Sequence, residues 1–194
     1  MNTSPMSAFA VGIEPAASAD DAELVTGLAE LVNGVYQLAE AGLWVDGARR
    51  TSPAYIADLI RRGEIATARA GDRVVGAIQV QRLDDDTAMF GMLAADPAHR
   101  GLGIGRALVG FAERWAVDRG GLAMELELLV PTTWSHPSKE FLRDWYTRIG
   151  YREVRRGGLQ EAYPELAPLL ATTCVLVVYR KDLAGGAAGG TARG

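Results

Sequence analysis

Leu93-Ala94-Ala95-Asp96-Pro97-Ala98-His99-Arg100-Gly101-Leu102-Gly103-Ile104-Gly105-Arg106-Ala107-Leu108 is the stretch that decides the fold. A short apolar run ends at Asp96-Pro97, and Arg100 opens a loop with glycine at every second position. Apolar side chains at Ile104, Leu108, Phe111 and Trp115 then recur at helical spacing, so the helix begins inside the glycine loop itself. A strand, a glycine loop and a helix N-terminus in series make an anion site. Glycines carry no Cβ, so the backbone can turn tightly and aim successive N–H groups at one spot. The helix dipole adds roughly half a positive charge there. Arg100 and Arg106 flank the loop.

The spelling of the loop discriminates among phosphate ligands. The dinucleotide fingerprint G-x-G-x-x-G fails, because Arg106 and Leu108 stand where its third glycine would fall. The P-loop pattern fails as well, since no G-K-[ST] follows. What fits is R-x-x-G-x-G, spelled Arg100-Gly101-Leu102-Gly103-Ile104-Gly105. Together with the preceding L-x-A-D-P it resembles the coenzyme A-binding motif of the GNAT superfamily of N-acetyltransferases. The bland alternative is a ligand-free turn, but such a turn needs neither three alternating glycines nor the flanking arginines. The resemblance implies acetyl-CoA as cosubstrate, with no metal. Arg100, Gly101, Leu102, Gly103, Ile104, Gly105 and Arg106 would hold the pyrophosphate. The backbone of Leu93, Ala94 and Ala95 would align the pantetheine as a pseudo-strand and polarise the thioester carbonyl.

Composition bounds the rest. The 194 residues suit one domain with a sizeable core. A hydrophobic content of 48% with 23% charged residues is that of an ordinary globular protein. The net charge of −4 supplies no basic field to recruit nucleic acid. No apolar run reaches the ~18 residues of a membrane span, and the N-terminus lacks a basic region followed by an apolar one. The single cysteine, Cys174, lies in an apolar run and reads as a core residue. The expectation is a cytoplasmic protein, monomer or homodimer, without a nucleic-acid or membrane partner.

Outward from the loop, the patterning predicts a strand over 7–13 and a helix over 20–41 with Leu24, Leu28, Leu31, Val35 and Leu38 on one side. Residues 53–62 form a second helix with proline in its first turn and glycine after its end. Strands over 64–70 and 74–82 flank the turn Gly71-Asp72-Arg73, and a third over 87–94 delivers the glycine loop. A helix over 103–119, a strand over 122–130, a helix over 138–149 and a last strand over 172–179 complete the order. This is a mixed α/β (α+β) arrangement in a single GNAT-like domain. The resemblance implies a central, mostly antiparallel sheet flanked by helices, with a splay at the coenzyme A site. The expected boundaries are a flexible N-terminus over 1–6, the acetyltransferase domain over 7–182, and a disordered Gly/Ala-rich tail over 183–194.

A second segment, Phe141 to Tyr151 (FLRDWYTRIGY), resembles the other GNAT signature, a helix of the form L-Y-x-x-x-G-F. Trp145-Tyr146 replaces Leu-Tyr, and Tyr151 replaces Phe. In that family the tyrosine commonly protonates the departing coenzyme A thiolate. A phenol is neutral at pH 7, so Tyr146 can donate a proton late in the reaction without being charged beforehand. The alternative is that Trp145 and Tyr146 only pack a helix on the core.

An acceptor amine must also lose a proton, and a carboxylate can take it, often through water. Strand alternation over 123–128 puts Glu125 and Glu127 on one face. Several GNAT members carry a functional glutamate within an L-E-V on this strand, which Leu126-Glu127-Leu128 resembles. Glu127 is therefore the first candidate base and Glu125 the second, against the alternative that both are solvent-facing. A low-pKa amine needs no base.

The chain departs from the family pattern in the long segment Val130 to Lys139, and Lys139 stands where asparagine is often found. His136 within it is a candidate base or acceptor contact, though a histidine beside proline is more often a loop residue. His99 reads as exposed. In this family the first helix and its following loop cover the acceptor. Here that region holds Asn33, Tyr36, Trp44, Arg49 and Arg50, with Trp44 either stacking on an acceptor or anchoring the loop to the core. The expected function is transfer of an acetyl group from acetyl-CoA to an amine of a small molecule or peptide, by direct attack in a ternary complex. The rival is a non-catalytic acyl-CoA-binding sensor.

Overall fold

A computed structural model describes residues 9–183. The expected flexible N-terminus, residues 7–8 of the expected first strand, and all but the first residue of the tail lie outside the described residues. In chain order the elements are β1 (Ala10–Ile13), α1 (Ala22–Ala39), α2 (Pro53–Arg61), β2 (Ile65–Ala70), β3 (Arg73–Arg82), β4 (Thr87–Ala95), α3 (Ile104–Val117), β5 (Ala123–Pro131), α4 (Pro137–Arg148), β6 (Arg152–Gly158), α5 (Leu159–Ala162) and β7 (Cys174–Asp182). The seven strands form one open sheet in the order β1-β2-β3-β4-β5-β7-β6, flanked by helices. Pairing is antiparallel for β1–β2, β2–β3, β5–β7 and β6–β7, and parallel for β4–β5. The β4–β5 ladder is short, running only from Thr87↔Ala123 to Met89↔Glu125.

The chain divides into two compact units. The first holds residues 9–36, 50–80 and 92–112. Its core is built by Val25, Leu28, Ala29 and Val32 of α1, Ile56, Leu59 and Ile60 of α2, and Ile65, Ala77, Met92 and Ala94 from the strands. The caps explain where its helices begin. Asp21 Oδ1 accepts from the N–H groups of Glu23 and Leu24, each at 3.0 Å, so α1 starts at Ala22, after a 3-10 turn over Ala16–Asp20. Ser52 Oγ accepts from Tyr55 N–H, with Pro53 in the first turn of α2. Asn33 clamps the returning chain, accepting from Arg50 and Thr51 N–H at 2.8 and 3.0 Å and donating to Thr51 O at 3.0 Å. One expectation is corrected here. Leu38 is 71% exposed rather than on the apolar face, because the core face of α1 runs through Val25, Ala29 and Val32, and residues 37–49 leave this unit.

The second unit holds residues 37–49, 81–91 and 113–183. In it β7 pairs along nearly all of β5, from Ala123↔Asp182 to Pro131↔Cys174, and β6 pairs with the other side of β7. Beneath this ladder Leu43, Leu129, Leu159, Cys174 and Leu176 form a core, with Trp44, Tyr163, Leu166 and Leu170 packed against it. Strand β6 and helix α5 are absent from the sequence reading. The reason is physical: β6 is an edge strand reading Arg152-Glu153-Val154-Arg155-Arg156, exposed throughout, and edge strands carry charge instead of an apolar alternation.

Within the first unit, α3 is seated on the sheet through a missing side chain. A Cβ on Gly76 of β3 would lie 2.7 Å from Ile104 Cγ2, 3.0 Å from Leu108 Cδ1 and 3.0 Å from Ala94 O. Alanine in place of glycine within a strand ordinarily stabilises by roughly 0.5–1 kcal/mol. Here the contact reverses the sign. Gly76→Ala is expected to cost about 1–3 kcal/mol in denaturant unfolding, and equal or greater stability than wild type would contradict the close seating of α3.

Candidate functional site

The donor elements lie in the first unit. Strand β4 carries Met92, buried at 3% exposure, with φ of +45°. A non-glycine residue in the left-handed region inside a strand is held there only by its surroundings, and such strain concentrates at functional sites. It turns the backbone just ahead of Leu93, Ala94 and Ala95. Asp96 then organises the approach to the loop. Its N–H donates to Val75 O at 2.9 Å, its Oδ1 accepts from Ala98 N–H at 2.9 Å, and its Oδ2 accepts from His99 Nδ1 and from Arg73, each at 3.1 Å. The Ala98 N–H, with His99 and Arg73 adding, holds the Asp96 carboxyl below its usual range. His99 is thus half-buried and paired, not merely exposed as the sequence reading expects.

The loop follows. Gly101 and Gly103 have φ of +86° and +78°, and no atom lies within 4 Å of a Cβ built on either. Their left-handed conformation requires glycine, and the space over both is open. Gly103 O accepts from Ala107 N–H at 3.0 Å, so α3 starts at Ile104, inside the glycine loop as the spacing predicts. The N–H groups of Ile104, Gly105 and Arg106 therefore have no upstream carbonyl in the helix. Arg100 and Arg106 are exposed. Fourteen residues of α3 stand behind this N-terminus.

The acid and base candidates lie in the second unit. Tyr146, on α4, is 5% exposed and stands among Phe90, Trp145 and Tyr151, with ring centroids 5.0–6.0 Å apart. Tyr151 donates its hydroxyl to Glu113 Oε1 at 3.0 Å. Burial, with the Glu113 carboxylate and then Tyr146 adding, pushes the Tyr151 phenol far above its ordinary value. Lys181 closes this network on Glu113 at 2.8 and 2.9 Å.

On β5 the two glutamates have separate partners. Glu125, 8% exposed, is paired with Arg180 Nη1 at 3.0 Å. Glu127 is half-buried, and its Oε2 accepts from Tyr163 Oη at 2.6 Å. Neither is the solvent-facing carboxylate of the bland alternative. Tyr163 is the residue that sequence reasoning missed, because Glu161-Ala162-Tyr163-Pro164-Glu165 carries no periodicity and reads as a turn.

The loop after α1 is fastened by a buried ion pair. Lys139 Nζ donates to Glu40 Oε1 at 2.6 Å, and Trp44 Nε1 donates to Glu40 Oε2 at 2.6 Å. Lys139 and Glu40 are 4% and 7% exposed. Trp44 thus anchors its loop to the core. His136, 6% exposed, donates Nε2–H to Ala41 O at 3.2 Å, and its ring lies 5.2 Å from that of Trp134. Burial, with Glu40 adding and Lys139 opposing, pushes the Cys174 thiol up to about 11, which keeps it protonated at neutral pH. Removing one partner of a buried ion pair leaves an uncompensated charge, so Lys139→Met is expected to destabilise the fold by about 3–5 kcal/mol. Adding Glu40→Leu should recover part of that loss in denaturant unfolding. A single variant as stable as wild type would contradict the pairing.

Among the described residues, no group of three or more His, Cys, Asp or Glu side chains could hold a metal ion, and no helix is long and apolar enough to cross a membrane. The model of the acetyltransferase (GNAT) family matches residues 34–151. Among solved structures, Ard1 from Thermoplasma volcanium superposes with a TM-score of 0.60 at 17% identity, covering 91% of this chain and 98% of that one. An acetyltransferase of the GNAT family from Staphylococcus aureus Mu50 gives 0.61 at 16% identity, covering 90% and 99%. Rv2747 from Mycobacterium tuberculosis, in complex with CoA and NLQ, gives 0.58 at 15% identity, covering 90% and 99%. No curated protein matches the sequence. At these identities the structures share the fold, while the family model spans more than half of the sequence, including the glycine loop and the Tyr146 helix. The chain belongs to the GNAT family of acetyltransferases.

Proposed function

We propose that this protein transfers an acetyl group from acetyl-CoA to an amine of a small molecule or peptide, by direct attack within a ternary complex in the cytoplasm. The observation that carries the reading is the pair of left-handed glycines, Gly101 and Gly103, opening unobstructed space in front of the N-terminus of α3. Such a terminus is a ready site for a pyrophosphate. The residues present fit that group: Ile104, Gly105 and Arg106 have N–H groups outside the helical ladder, Gly101 and Gly103 leave room for the backbone to approach it, and Arg100 and Arg106 bring two charges. Leu102, the side chain between the glycines, is 54% exposed and would lie along the ligand. The backbone of Leu93, Ala94 and Ala95, redirected by Met92, would hold the pantetheine arm and donate to the thioester oxygen.

When bound, acetyl-CoA supplies a thioester whose carbonyl carbon takes the amine nitrogen and whose sulfur leaves. The chain's own residues handle the two protons. Glu127 accepts the proton that the amine gives up as its C–N bond forms, directly or through water. Tyr146 passes its phenolic proton to the sulfur as the C–S bond breaks, and solvent returns a proton to Tyr146 and removes one from Glu127. Glu127 is favoured over Glu125, whose carboxylate is committed to Arg180.

A panel of amines tests the function: spermidine, kanamycin, tyramine, glutamate and an Ala-Ala-Ala peptide, each with acetyl-CoA and free thiol as the readout. Turnover with at least one is expected. Binding of acetyl-CoA with no amine-dependent thiol release from any of them would favour the sensor instead. With the best acceptor, Tyr146→Phe is expected to lower kcat by about 10²-fold while the Kd for acetyl-CoA stays within about twofold. Equal losses in binding and turnover would make Tyr146 a packing residue.

A further inference from the structure

We infer that Tyr163 is a positioning residue for the acetyl transfer, fixing the carboxylate of Glu127 in the geometry that takes the amine proton. The inference rests on the reading of Glu127 as the base. A glutamate on a strand has three rotatable side-chain bonds, and an unheld carboxylate samples many orientations. The 2.6 Å bond from Tyr163 Oη takes up Oε2 of Glu127. A charged acceptor makes such a bond short and strong. The bond engages Oε2, and the proposed role assigns the amine proton to Oε1.

The chain goes to some length to bring Tyr163 there. Antiparallel neighbours such as β6 and β7 can be joined by a two-residue hairpin. Here residues 159–173 intervene, forming α5 and a 3-10 turn over Ala167–Leu169. This excursion is fastened at both ends of its path. Tyr163 N–H donates to Leu159 O at 2.7 Å, and Tyr163 O accepts from Leu166 and Ala167 N–H at 3.0 and 3.2 Å. Further along, Leu170 bridges Trp44, with Val45 N–H on Leu169 O and Ala171 N–H on Leu43 O, each at 2.9 Å. The excursion is thereby tied to the loop after α1, itself pinned by the Glu40–Lys139 pair. The tyrosine ring packs on the same core as Trp44 and Leu129, the residue two along from Glu127 on β5. The main chain of Tyr163 is held by these hydrogen bonds and its ring by the core, the support that orienting a carboxylate requires.

The test compares wild type, Tyr163→Phe, Glu127→Gln and the double variant, using acetyl-CoA and the fastest amine of the panel, with melting temperature confirming the fold. Phenylalanine keeps the ring and removes only the donor. Glu127→Gln should lose about 10²-fold or more in kcat. Tyr163→Phe should lose between about 10-fold and 10²-fold in kcat with the KM for acetyl-CoA unchanged within about twofold. In the Glu127→Gln background the same change should cost less than about twofold, since residues acting as a unit are not additive. Should Tyr163→Phe fail to fold, Glu127→Asp keeps the carboxylate but withdraws it from Tyr163, and a similar kcat loss is expected. Wild-type kcat in Tyr163→Phe or in Glu127→Asp, or an equal loss from Tyr163→Phe in both backgrounds, would overturn the positioning role while leaving Glu127 as base. Wild-type turnover in Glu127→Gln would remove the base itself, and the role of Tyr163 with it.

Discussion

The fold turns on how closely α3 approaches the sheet at Gly76. Where a Cβ would come within 2.7 Å of Ile104 and 3.0 Å of the Ala94 carbonyl, the absence of one lets the first turn of α3 rest directly on β3 and β4. That seat fixes the N-terminus of the helix against the end of the strand that precedes it. Everything the glycine loop can do depends on it, because unpaired N–H groups bind an anion only if they point at a fixed place. Asp96 holds the intervening turn through its backbone and its carboxylate, and Met92 accepts a strained backbone within β4.

The second unit solves a different problem. It must keep acidic and aromatic side chains buried or half-buried in defined positions, which costs desolvation unless each polar atom finds a partner. Glu40 is shared between Lys139 and Trp44, Glu113 between Tyr151 and Lys181, Glu125 goes to Arg180, and Glu127 goes to Tyr163. Three of these carboxylates face a lysine or arginine. Glu127 instead takes the hydroxyl of Tyr163.

How much of this was legible in the sequence follows from which features are local. The glycine loop and the start of α3 were readable because their signals lie within one stretch, Arg100 to Trp115. Helix α2 was readable from Pro53 in its first turn and Gly63 after its end, and the β2–β3 hairpin from Gly71-Asp72-Arg73. Leu38 was misplaced because periodicity gives the apolar side of a helix but not where its packing partner ends. Strand β6 was missed because its pairing with β7 is a backbone matter and its side chains are charged. Tyr163, Glu40 and the pairing of Lys139 were invisible for the same reason as one another. Each bond joins residues dozens or more positions apart, from Glu127 to Tyr163 and from Glu40 to Lys139, and no spacing rule reaches that far.

The claim on which the functional reading stands is that the glycine loop ahead of α3 binds the phosphates of coenzyme A. Calorimetric titration of coenzyme A into the wild-type protein and into Gly103→Val tests it directly. A Cβ there meets no atom within 4 Å, while a valine strains a left-handed position. Binding by wild type and a loss of about tenfold or more in the variant, with the fold intact, is the predicted result, since the loss of one good backbone contact to a charged group is worth roughly 1.5–3 kcal/mol. Unchanged affinity in Gly103→Val, or no binding to wild type, would contradict it.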